Sequence, residues 1–276
     1  MDSNGPVRTF LFHILALFLV VAYVNTFALW REIGNIFGRG IRDGMPFIVV
    51  GVLVLGLAIY LGVAAQRGKM SVAWPWLAAA VILAVVGLAS TDPAFPAKRI
   101  HVPQYVILAI VLCFSIRAAD RTALTLMLVF LAAAAYGVHD EFLQGLHPRR
   151  TYGLRDMFVN ACGAGAGALL VRALSSGGRE RLSAVAPAPP RWGLVVALAL
   201  AIGGVFLFAN AGTAYRADIL PYWTVLPALA GALALAVAAE RLPLRGDRLA
   251  VRALVGLCLL YAIYPLVINV TFLDFA

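Results

Sequence analysis

The stretch HDEFLQGLHPRRTYGLRDMFVNACGAGAG, residues 139–167, sets a polar island between two apolar segments. On its left, residues 122–144 are mostly Ala, Leu and Val. On its right, residues 155–173 turn small and apolar after one helical turn. A charged side chain at the centre of a bilayer costs roughly 2.5–3.5 kcal/mol on insertion scales. Glu141, Arg149, Arg150, Arg155 and Asp156 are therefore expected at a membrane surface or in a polar cavity, with a membrane-spanning helix on either side.

The same alternation extends along the chain. The sequence is 63% hydrophobic and 13% charged, with mean hydropathy +0.92. A soluble domain is nearer 45–50% apolar and about 25% charged. Apolar blocks fall at about 9–30, 46–66, 72–90, 102–118, 122–144, 155–173, 193–210, 222–240 and 249–270, each long enough to approach or cross ~30 Å of hydrocarbon as helix. The blocks do not alternate in the way a barrel strand requires. The expected fold is an all-α polytopic transmembrane helical bundle of about nine spans, or eight if the short block beginning near Pro103 is interfacial. Phe10–Trp30 is too long for a cleaved leader and reads as a retained anchor.

Ser175–Arg191 (SSGGRERLSAVAPAPPR) cannot continue a helix and reads as a linker. The organisation expected is residues 1–94 as N-terminal spans, 95–174 as a polar-cluster core, 175–191 as a cytoplasmic linker and 192–276 as a three-span part. Thirteen of the 22 Lys and Arg residues fall on the side of the N-terminus and linker when the spans are counted, which places that side in the cytoplasm. The residues 139–155 then face outward.

The net charge of +9 is dispersed singly and in pairs between apolar blocks. That pattern suits topology signals and anionic headgroups rather than nucleic acid. Cys113, Cys162 and Cys258 lie far apart inside apolar blocks and read as small hydrophobes. His13 and Asn25 read as satisfied groups within the first span. The five tryptophans, Trp30, Trp74, Trp76, Trp192 and Trp223, suit an interfacial belt. Phosphate-loop, zinc-helix, nucleophile-elbow and dinucleotide motifs do not occur, and neither a cofactor nor a resident metal is expected.

Within the island, Glu141 and Gln144 stand three residues apart and share a helix face. Pro148 interrupts the helix. Asp156 and Asn160 stand four apart at the start of the next helix, and Gly163 and Gly167 continue that stripe to within about 40°. A polar mouth with small residues below it lets another helix pack closely. Span counting puts the loop before His101 and Tyr105 on the same side. His101, Tyr105, Glu141, Gln144, Arg150, Asp156 and Asn160 are thus expected at one outward pocket. Arg150 suits a phosphate or carboxylate. His101, Glu141 and Asp156 could supply an acid and a base, or hold a cation beside a phosphate. In a purely structural role, Asp156 would cap its helix, Glu141 would pair with Arg150 or Arg155, and Arg150 would anchor on headgroups.

The order Asp140-Glu141, Gln144, Pro148, Arg150, Asp156, Asn160, Gly163 and Gly167, with His101 and Tyr105 upstream, resembles the VanZ-like membrane protein family over roughly residues 95–172. Arg149 stands where that family often has Gly, and Gly153 where it often has Ser or Thr. The resemblance implies a cell-envelope membrane protein affecting sensitivity to glycopeptides of the teicoplanin type. It implies no defined reaction. The expected partners are membrane lipids or a lipid-linked wall precursor, with an enzyme acting on such a lipid as the alternative and a small-solute transporter as a weaker one.

Overall fold

The computed structural model describes residues 5–68, 72–116, 123–147, 150–175, 192–216, 218–242, 245–270 and 275, without the side chains of 5–10, 12, 27, 28 and 245. Residues 176–191 of the expected linker, the expected breaker Pro148, and the basic residues Arg117, Arg121 and Arg149 lie outside the described residues.

Among the described residues every regular element is helical: α1 (Gly5–Phe37), α2 (Arg39–Gln66), α3 (Trp74–Ser90), α4 (His101–Ser115), α5 (Ala123–Gly145), α6 (Leu154–Ser175), α7 (Trp192–Ala214), α8 (Leu226–Ala239), α9 (Arg245–Leu260) and α10 (Ile263–Val270). Short 3-10 turns precede α4 and α8. Among the described residues there are seven helices, or eight counting the bent α1, long and apolar enough to cross a membrane, with α3 a shorter apolar helix. The chain is an all-α integral membrane protein. Its outer residues suit lipid: the most apolar stretch of α2 has no buried residue.

Three boundaries differ from the apolar blocks. The charged stretch 31–45 continues as helix beyond the apolar windows of α1 and α2, because Arg and Glu are good helix formers once clear of lipid. Only Gly38 separates the two helices. Its φ of 90° lies in the left-handed region that favours glycine. The last block, 249–270, divides into α9 and α10 around Tyr261 and Ala262. Pro265 removes one N–H and its ring crowds the Tyr261 carbonyl four residues before it. The chain responds with tighter bonds, Tyr261 N–H to Cys258 O at 3.3 Å and Ala262 N–H to Leu259 O at 3.2 Å.

The helices form two compact units that interleave in sequence, residues 1–115 with 158–184 and residues 116–157 with 185–276. In the first unit, α1 packs on α4, with Tyr23 donating its hydroxyl to the Gln104 carbonyl at 2.9 Å. In the same unit α6 lies against α4 through glycines. A β-carbon built on Gly163 would stand 2.6 Å from the Val102 carbonyl oxygen, and one on Gly167 2.5 Å from that of Val106. Trp30, expected at the interface, is buried with Ala97 and Ile100.

In the second unit, α9 and α10 run parallel to α5. Thr125 meets Asp247 at one end, Tyr261 donates to the Ala135 carbonyl in the middle at 2.9 Å, and Tyr264 meets His139 near the other end at 2.9 Å. Phe142, Tyr152, Phe208, Tyr264 and Phe275 form an aromatic core around the last turns of α5.

Candidate functional site

The second unit carries a polar chain where α5 ends and α6 begins. Glu141, Gln144 and Asp156 are buried, with the first two fully so. Glu141 accepts from two directions: the Gln144 amide donates to its Oε1 at 3.0 Å, and the Gly153 backbone N–H donates to its Oε2 at 3.1 Å. Arg150 donates from its guanidinium to the Gln144 side-chain oxygen. The amide of Gln144 thus acts in both capacities, as donor to the carboxylate and acceptor from the guanidinium.

Local sequence explains the arrangement. Glu141 and Gln144 share a face of α5 because they are three residues apart. Gly153 immediately precedes α6, and the N–H groups of Asp156 and Met157 both point to its carbonyl. The first N–H groups of a helix lack partners within it; here Glu141 of the preceding helix accepts the one from Gly153. Asp156 sits in the first turn of α6, where a negative charge complements the helix dipole. It also faces Glu141: the two offer carboxylate oxygens within 4.8 Å of each other.

Arg150, half-buried in the loop, lies in the field of three carboxylates. Burial draws its guanidinium below the ordinary arginine value, and Asp140, Glu141 and Asp156 oppose that shift. Tyr152, two residues on, is fixed at both ends. Its hydroxyl donates to the Ala209 carbonyl, and its own carbonyl accepts from Arg216. Burial raises the phenol above its ordinary value, and the neighbouring charge of Glu141 adds to that rise.

The structure brings together Glu141, Gln144, Arg150 and Asp156 within the second unit. His101, Tyr105 and Asn160 belong to the first unit and are buried there. Tyr105 follows Gln104, whose amide donates to the Thr26 hydroxyl at 3.3 Å, and its ring lies 6.0 Å from that of Tyr23. Gly163 packs against the Tyr105 β-carbon as well as the α4 backbone.

Chemically, the second-unit cluster offers a planar guanidinium for an oxyanion and two adjacent carboxylates for protons or a hard cation. Two carboxylates fall short of the six or more oxygens that such a cation takes, so water or a ligand would have to complete the set.

Several polar residues of this unit do not announce themselves in sequence. His139 is held by the Leu257 carbonyl and the Tyr264 hydroxyl, each at 2.9 Å, and stacks on Tyr261. The Leu257 carbonyl is available because Tyr261 N–H turns to Cys258 at the break before α10. Buried Asp247 accepts from Thr125, and Asn269 pairs with both backbone groups of Leu220 at 2.9 and 3.0 Å. A charged or amide residue in the first turn or interior of an apolar helix was the available signal; its partner was not.

Comparison with protein-family models, with curated proteins and with solved structures gives no match for this chain.

Proposed function

We propose that this integral membrane protein belongs to a cell envelope and binds the anionic head of a membrane amphiphile beside Arg150. The observation that carries the reading is the chain Glu141–Gln144–Arg150, in which a buried carboxylate orients an amide and the amide orients a guanidinium. An arginine oriented in this way loses little further side-chain freedom when it meets an oxyanion. Phosphate is the headgroup chemistry that suits it, as in a phospholipid, an isoprenyl phosphate or a lipid-linked wall precursor.

The orientation that goes with this reading has the N-terminus in the cytoplasm and the α5–α6 loop outside, on the strength of the basic-residue distribution. The membrane is then a bacterial inner or plasma membrane. The VanZ-like spacing supports an effect on teicoplanin-type sensitivity or on envelope properties. A second reading, catalysis on the bound lipid by Glu141 and Asp156 with His101 as the third candidate, is favoured by the 4.8 Å approach of the two carboxylates.

The test separates the two. Arg150→Gln should weaken binding of an anionic lipid to the purified protein, and Glu141→Gln should weaken it less, by loosening the amide that orients Arg150, while Asp156→Asn should spare binding if its part is chemical. Unchanged lipid binding in Arg150→Gln refutes the binding reading. Full function of both carboxylate variants in cells, scored by glycopeptide sensitivity, removes catalysis.

A further inference from the structure

At the opposite end of α5 from Gln144, the second unit has another charged feature. Thr125 and Gln144 are nineteen residues apart, about 28 Å along a straight helix and close to the ~30 Å hydrocarbon thickness. Next to Thr125 stands Asp247, in the first turn of α9. Asp247 turns inward. Arg248 and Arg252 follow it, four residues apart on a common helix face. Arg241 adds a third arginine in the turn before α9.

A notch of about 300 Å³ opens there, lined by Glu240, Arg248, Leu249 and Arg252. Its size is at the lower end of the ~300–1,000 Å³ typical of small-ligand sites. The two lining guanidiniums differ in how they are held. Arg248 donates to the Leu242 carbonyl at 3.0 Å and so is oriented by the backbone. Arg252 meets Glu240 at 3.1 Å, with both side chains more than half exposed. An exposed pair of this kind contributes little to stability, so an incoming anion displaces Glu240 at little cost.

Leu249 also lines the notch, and Val237, 58% exposed, lies one turn before Glu240, the residue that caps the end of α8. Charge at the mouth and exposed aliphatic surface one turn below is the order of chemistry in a lipid, headgroup first and acyl chain next. A free phosphate has no use for the second part.

We infer that the Arg248–Arg252 notch is a second anion site, taking the phosphodiester headgroup of an anionic phospholipid at the membrane face opposite the Arg150 cluster. Glu240 acts there as a displaceable internal competitor. The inference stands independently of the function proposed for Arg150.

The probe is phosphatidylglycerol added to the full-length protein in detergent, with phosphatidylcholine as the neutral comparison and retention read by native mass spectrometry. Arg252→Gln should weaken phosphatidylglycerol retention about tenfold, the loss of one charge-assisted bond, and leave phosphatidylcholine unchanged. Arg252 holds no backbone group in the contacts described, so its variant should melt with the wild type. Glu240→Gln should strengthen retention, a gain that misfolding does not produce. Wild-type retention in both variants overturns the inference. Tight binding of inorganic phosphate that Arg252→Gln abolishes, with lipid retention unaltered, assigns the notch to a soluble anion and overturns it as well.

Discussion

Replacing Gly167 with alanine tests the close approach of α4 and α6. The added β-carbon would stand 2.5 Å from the Val106 carbonyl oxygen and 2.9 Å from the Ala109 β-carbon. To bring the first contact to even ~3.0 Å, the backbones must part locally by about 0.5 Å, and a gap of that order forfeits roughly a quarter of the dispersion well for the atoms around it. Overpacking of this kind costs about 1–3 kcal/mol. At about 2–4 °C per kcal/mol for a chain of this size, the melting temperature should fall by about 2–12 °C. Gly203→Ala is the internal control, because nothing lies within 4 Å of a β-carbon there and alanine is the better helix former. Thermal unfolding of both variants in one detergent gives the comparison. If Gly167→Ala melts with Gly203→Ala, the helices do not touch as described, and the packing argument fails.

Gln144→Leu should be more damaging than Arg150→Gln in the same melt, by about 1–3 kcal/mol, because it strips the buried Glu141 of a donor and Arg150 of an acceptor together; equal melting temperatures would contradict the chain of bonds. His139→Phe keeps a ring beside Tyr261 but leaves the Leu257 carbonyl without its imidazole donor. We expect a loss of about 1–3 kcal/mol, and a variant as stable as the wild type would show that the carbonyl is satisfied otherwise. Tyr152 supplies a pH dependence. Its phenol is raised in the folded state, so the unfolded chain releases that proton first, and the stability is complete below about pH 10 and lost as pH rises above it. The alkaline fall should be shallower in Tyr152→Phe, as followed by denaturant unfolding at stepped pH; an identical slope counts against the assignment.

The spans were legible because lipid imposes a length and a polarity on each helix. The block at 122–144 lies within a residue of α5, Ala123–Gly145. Where water takes over from lipid, that rule ends, and the charged residues 31–45, outside the apolar blocks, continue as helix on either side of Gly38. Periodicity also placed Glu141 beside Gln144, and the order of residues placed Arg150 and Asp156 near them. What it could not supply was a partner from a distant helix. Nothing near His139 points to Leu257, because the free carbonyl is a product of Pro265 acting on a helix over a hundred residues later. Tyr152 is similar. Its anchors, Ala209 and Arg216, lie on or just beyond α7, and α7 reads from its sequence as a plain apolar span.

The parallel run of α9 and α10 along α5 bears on the order of biosynthesis. The bonds that satisfy the inner face of α5 span 118 to 126 residues of sequence. At roughly 5–20 residues per second, α5 leaves the ribosome about 6–25 seconds before the segment that answers His139 and the Ala135 carbonyl. Its mean hydropathy over the best window is 1.6, against 2.7 for α2. Helix α2 can enter lipid unaided as it is made. Helix α5, whose His139 and Ala135 carbonyl find their partners only in the last two helices, is expected to wait at the insertion machinery or the membrane surface until those helices arrive. Chains halted before residue 257 should therefore leave α5 accessible to aqueous reagents while α2 is already sealed in the bilayer.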